Sequence, residues 1–146
     1  MTNCFRRCGT RGYSLLELVT VIAVLAVVTA SATPALITLS YRTALRSEAA
    51  AVRLFFERAY SYAINVQERV DVTVLEHRLV ARNQAGTPLS DYVLKYGVSV
   101  RDASAKERII SLFPSISASP QTVELSKGPQ TCSVVASLRG RFRTTC

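Results

Sequence analysis

Gly12-Tyr13-Ser14-Leu15-Leu16-Glu17 opens onto a run of 24 residues, 18–41, that carries no charge. As a helix that run is about 36 Å long at ~1.5 Å per residue, enough to cross a bilayer core of ~30 Å. Arg6, Arg7 and Arg11 stand just before it. They form the positive flank that holds an N-terminus on the cytoplasmic side. Glu17 sits at the mouth of the run. A carboxylate there is costly in lipid and is therefore a functional candidate.

The same residues resemble the leader and N-terminal helix of type IV pilins and type II secretion pseudopilins. That family pattern is a basic leader ending in Gly, an aromatic or Met, a small hydroxyl residue, two aliphatics and Glu. The resemblance implies that residues 1–12 are a leader, cut after Gly12 by a prepilin peptidase that also methylates the new N-terminus at Tyr13. It places Glu17 at the position of the family's assembly acid, and Pro34 where many pilin helices carry a proline. The alternative is an uncleaved signal anchor, which accounts for the apolar run but not for Glu17.

The chain has 146 residues. Leader and span together leave about 100 for one further domain, residues 42–146, after 13–41 as the membrane-spanning half-helix. A domain this small gains from a covalent staple. The formal charge is +8, and losing three leader arginines would leave 8 − 3 = +5. Cys4 and Cys8 fall in the leader on the reducing side, with no further ligands to suggest zinc. Cys132 and Cys146 fall on the periplasmic side, where disulfides persist, and are expected to pair.

Residues 13–66 read as one helix, apolar all round at first and amphipathic later. Leu45, Ala49, Val52, Phe55 or Phe56, Ala59, Ala63 and Val66 recur at helical steps. Arg42, Arg46, Glu48, Arg53, Glu57 and Arg58 take the other faces. Pro34 removes a backbone hydrogen bond at the changeover, where a kink is expected. The period then changes. Residues 70–75 and 78–82 alternate as strands around a turn at Glu76-His77. Residues 83–90 read as loop, 92–101 as strand broken at Gly97, and 109–113 as a short strand within a serine-rich stretch. Residues 121–125 and 132–138 are the last clear strands, with Gly128-Pro129 turning between them. The class is α+β, one long helix and a largely antiparallel sheet, which agrees with the type IV pilin fold implied by the resemblance.

No catalytic constellation, metal motif or cofactor-binding loop is legible, so no enzyme is expected. His77, the one histidine, reads as a solvated turn residue. Tyr60, Tyr62, Tyr92 and Tyr96 read as packing residues with polar tips.

After Glu124 the chain has no acid, while Lys127, Arg139, Arg141 and Arg143 supply four positive charges. In an extended chain the three arginines would alternate onto one side, about 6–7 Å apart, close to the spacing of phosphates along a strand. Gly140 permits a close approach or a left-handed turn. The plain alternative is a solvated edge strand blunted by charge. Gly140-Arg141-Phe142-Arg143 near the end of a pilin-like chain is similar to the FimT branch of the GspH/FimT minor pilins. There a Gly-Arg-x-Arg motif is implicated in binding DNA for uptake in natural transformation. The resemblance implies a DNA-binding minor pilin, first in the inner membrane with its domain in the periplasm, later in a surface pilus among other pilin subunits. The competing reading is a structural minor pilin or pseudopilin that assists assembly without binding DNA.

Overall fold

The computed structural model describes residues 14–101, 108–115 and 117–146. The expected leader with Cys4 and Cys8, and the expected processing residues Gly12 and Tyr13, lie outside the described residues. Helix α1 runs Leu15–Val66, with Pro34 inside it. Chain packing divides into two units, Met1–Ile37 and Thr38–Cys146.

In the first unit, Ser14 precedes α1, and its carbonyl accepts hydrogen bonds from the Glu17 and Leu18 N–H groups at 2.9 and 3.2 Å. Glu17 lies in the first turn, where the unpaired N–H groups of a helix favour a carboxylate. Helix formation thus supplies a local reason for an acid at this point. The apolar stretch has a mean hydropathy of 2.3, long and apolar enough to cross a membrane, and none of it is buried.

The second unit holds the core. Nine strands follow α1: β1 Val70–Val74, β2 Arg78–Asn83, β3 Pro88–Val93, β4 Ser99–Val100, β5 Arg108–Phe113, β6 Ser117–Ala118, β7 Gln121–Lys127, β8 Gln130–Ala136 and β9 Phe142–Thr145. They form two sheets, in the orders β3-β2-β1-β5-β6 and β4-β7-β8-β9. Every pairing is antiparallel. Alternation sorts the faces: Val70, Val72 and Val74 are buried while Asp71 and Thr73 are not, and β5, β7 and β8 repeat the pattern. The buried rows meet Leu45, Ala49, Val52, Phe55, Phe56, Ala59 and Ala63 of the helix in one core.

Several expectations need correction. Both Phe55 and Phe56 are buried, where the spacing left a choice, whereas Val66 is 44% exposed at the helix end. Glu48 is buried at 2%, not on a solvent face. It is kept there by the Tyr92 hydroxyl, which donates to its Oε2 at 2.8 Å. A buried carboxylate needs such a donor, and a tyrosine two strands from the sheet centre was invisible to helical periodicity. Tyr60 and Tyr92 pack against the core, but Tyr62 and Tyr96 are exposed. The expected loop at 83–90 is shorter: a turn at Gly86, φ 81°, leads into β3 from Pro88. Pro88 is tolerated because β3 is an edge strand. Residues 109–113 belong to β5, which pairs along the whole of β1, so this segment is central rather than peripheral. His77 is exposed in the turn between β1 and β2.

Candidate nucleic-acid interface

Strands β8 and β9 form a hairpin whose connection carries the arginines. Ala136 pairs with Phe142 and Val135 with Arg143. Beyond them the Ser137 N–H donates to the Arg141 carbonyl at 3.0 Å, the Gly140 N–H to the Ser137 carbonyl at 3.0 Å, and the Arg141 N–H to Ser137 Oγ at 3.1 Å. Leu138, Arg139 and Gly140 are therefore a three-residue hairpin loop that ends in a left-handed residue, Gly140 at φ 66°. The Leu138 carbonyl accepts from the Ala118 N–H at 3.1 Å, which ties the loop to β6.

Gly140 is required twice over. Its φ is one that side chains resist, and a Cβ there would collide with the ring of Tyr60, 2.6 Å from Cε1 and nearer still to Cζ and the hydroxyl. Tyr60 belongs to α1, and its hydroxyl is buried with no hydrogen-bond partner among the described residues. Next to Gly140, Phe142 points inward at 6% exposure. It stacks on Phe56 at 5.5 Å between centroids and meets Tyr60 edge to face at 6.1 Å. These contacts anchor the loop to the helix. With Phe142 turned inward, Arg141 and Arg143 are thrown to the solvent side together, and both are exposed.

Arg139 departs from the expected geometry. It is exposed at the tip of the loop rather than in line on a strand, because the chain turns at 138–140 before β9 begins. Lys127 departs further. It closes β7 at the Gly128-Pro129 turn, the opposite end of the sheet from the arginines, with the length of β8, about 20 Å, between. Its Nζ lies 5.4 Å from the Tyr41 ring centroid. The candidate interface is thus reduced to Arg139, Arg141 and Arg143, with Lys127 outside it. No carboxylate among the described residues lies within 4.0 Å of the three guanidiniums.

Cys132 and Cys146 are joined in a disulfide, Cα to Cα 4.3 Å, that fastens the chain beyond β9 back onto β8. The β8–β9 hairpin is therefore held at both ends, by Phe142 next to the arginine loop and by the disulfide at the end away from it. Tyr60, which shapes the loop, was not singled out by sequence as its support, since its contact with Gly140 spans 80 positions, 140 − 60. Among the described residues no group of His, Cys, Asp and Glu is arranged to hold a metal.

The core tyrosine Tyr92 has its pKa pushed up to about 12, chiefly by burial and then by its hydrogen bond to Glu48. On the surface, Arg78 holds the Asp91 carboxyl below the usual range by a direct hydrogen bond.

No protein-family model and no curated protein sequence matches the chain. Two solved structures do. A crystal structure of the type IV minor pilin FimU from Pseudomonas aeruginosa superposes with a TM-score of 0.60 at 16% identity, covering 72% of this chain and 90% of that one. A second crystal form of FimU gives 0.56 at 15% identity, covering 70% and 93%. One long N-terminal helix packed by its second half on antiparallel sheet, in the same arrangement, gives this chain the type IV pilin fold.

Proposed function

We propose that this chain is a minor type IV pilin that binds DNA through the loop carrying Arg139, Arg141 and Arg143. The pilin fold and the likeness to FimU support the minor-pilin part and an association with other pilin subunits. The single observation that carries DNA binding is the loop itself. Three guanidiniums stand exposed on a support locked to the core, with no carboxylate within 4.0 Å among the described residues. Guanidinium groups recognise phosphate through charge-assisted and bidentate hydrogen bonds. The arginines sit on the tip and edge strand of a hairpin whose β8 is paired into the sheet, not on a free helix or ribbon that could enter a groove. That placement favours contact with the backbone and binding independent of sequence.

In this reading residues 1–12 are removed after Gly12, Tyr13 is methylated, and Glu17 pairs with the amino terminus of a neighbouring subunit as the apolar helices assemble. Before that step residues 13–41 hold the chain in the inner membrane with residues 42–146 in the periplasm. The likeness to FimU equally favours a structural assembly subunit that does not bind DNA, and one experiment separates the two. Duplex DNA is titrated with the purified chain over a salt series. Three phosphates neutralised give a log–log slope of about −2.7. Arg141→Ala/Arg143→Ala should flatten it by about 1.8 while leaving the fold intact, since neither side chain is packed. Equal binding by the double variant at matched salt would leave the assembly subunit as the better reading.

A further inference from the structure

A second basic site lies away from the arginine loop, at the other end of β8. Arg42 and Arg46, one helical turn apart on α1, line a cleft of about 300 Å³ with Gln130, Thr131 and the Cys132–Cys146 disulfide. Leu45 seals its floor and is 1% exposed. Both guanidiniums are exposed, and neither has a carboxylate within 4.0 Å among the described residues. Gln130 and Thr131 add an amide and a hydroxyl. Beside the cleft the Gly128-Pro129 turn rests on Tyr41: a Cβ on Gly128 would stand 3.2 Å from Tyr41 Cε2. The same turn brings Lys127 over the Tyr41 ring.

The place of these residues in the chain selects the ligand. Tyr41 closes the uncharged run 18–41, and Arg42 is the first charge after it. Arg46 lies about 6 Å further along the helix. The run is about 6 Å longer than the bilayer core, so with that excess shared between the two sides Arg42 falls within a headgroup layer roughly 5–7 Å deep. Arg46 starts a few ångströms beyond it, within reach of a phosphate for a long arginine side chain. An interfacial tyrosine followed by cations is the composition that settles there. Arg53, Arg69 and Arg78 are paired with carboxylates, whereas Arg42 and Arg46, like Arg58 and Arg82, are not ion-paired among the described residues. What sets Arg42 and Arg46 apart is the cleft they share.

We propose that the Arg42–Arg46 cleft binds the phosphate headgroup of an anionic phospholipid and seats the globular domain on the membrane surface. The inference rests on residues 18–41 crossing the bilayer and is independent of DNA binding. The two guanidiniums take the phosphate oxygens, Gln130 and Thr131 donate to the same group, and Lys127 adds a third positive charge beside Tyr41.

The test is native mass spectrometry of the full chain released from neutral detergent. It is titrated with phosphatidylglycerol, with diacylglycerol of the same acyl chains, with inorganic phosphate, and with short duplex DNA. Two basic residues at an anionic headgroup together favour it by about 30-fold, so phosphatidylglycerol should bind that much more tightly than diacylglycerol. Arg42→Gln/Arg46→Gln should abolish the preference, Arg42→Lys/Arg46→Lys should retain most of it, and Arg141→Ala/Arg143→Ala should leave it unchanged. Intact Cys132–Cys146 pairing in each variant checks the fold. The proposal is overturned by a preference that survives the glutamine substitutions. It is also overturned by inorganic phosphate competing at equal concentration, which would make the cleft a free-phosphate site. Loss of DNA rather than lipid binding on changing Arg42 and Arg46 would assign the cleft to the nucleic acid instead. Release of the chain from membranes by alkaline carbonate would show that the spanning reading, and with it this inference, fails.

Discussion

Gly140→Ala is the substitution on which the account of the arginine loop depends most. Two separate costs are expected. The φ of 66° places an alanine in the left-handed region, worth about 1–2 kcal/mol. The new methyl also meets the Tyr60 ring, with the hydroxyl, Cζ and Cε1 all inside van der Waals contact. That ring cannot swing freely, because Phe142 packs against it edge to face at 6.1 Å. Forcing a methyl into such a site costs a further ~1–3 kcal/mol. The sum, near 3 kcal/mol, should lower the midpoint of thermal unfolding by roughly 10–20 °C for a domain of this size. The two parts are separable. Tyr60→Leu removes the colliding atoms and keeps the inner part of the side chain, so Gly140→Ala in that background should cost only the backbone part, about 1–2 kcal/mol. The assay is thermal unfolding of the full chain in neutral detergent, followed by near-ultraviolet circular dichroism, for the four members of the cycle. A coupling of about 1–3 kcal/mol between the two positions is expected. If alanine costs the same with and without the Tyr60 ring, the close approach is not what selects glycine, and the loop is not seated on the helix as described.

Three further outcomes follow from the same structure. Phe142→Ala should destabilise the domain by about 3–5 kcal/mol in the same unfolding assay, since a buried ring leaves a cavity between Phe56 and Tyr60. Cys132→Ala/Cys146→Ala opens a closure of sequence separation 14 and should cost about 3 kcal/mol by chain entropy, read as a lower denaturant midpoint; an unchanged midpoint would mean the bridge does not constrain the unfolded chain. Tyr92 ionises near 10 when unfolded and about 12 when folded, so the unfolded state loses its proton first and stability should fall as pH rises from 10 through about 12. An ultraviolet titration should show a late tyrosine component that is lost in Tyr92→Phe, and an unchanged titration curve in that variant would contradict the assignment.

Much of the architecture was legible because it rests on local rules. A helix that is apolar on all sides and then on one face announces itself by period, and the alternation of β1 does the same. The disulfide was legible from the expected compartment and from the count of cysteines available. The strand at 108–113 was underrated because its central place comes from pairing with β1, some forty residues earlier, and leaves no local mark. Glu48 misled for the opposite reason: a charged residue is assigned to solvent by default, and only the distant Tyr92 hydroxyl makes its burial tolerable.

The candidate interface divides along the same line. Sequence alone determined that Arg139, Arg141 and Arg143 are unopposed by any later acid, and that Phe142 lies on the opposite side of an extended chain from Arg141 and Arg143. Tertiary structure decided the rest. It turned the chain at Gly140, so that Arg139 stands at the tip of a loop and not in a row. It placed Lys127 at the far end of β8 and moved that charge from the loop to the neighbourhood of Tyr41, Arg42 and Arg46. Distance along a chain fixes proximity only within one element. Between elements it is set by which faces must be buried together, and here the burial of Phe142 on Phe56 and Tyr60 is what turns Arg141 and Arg143 to the solvent.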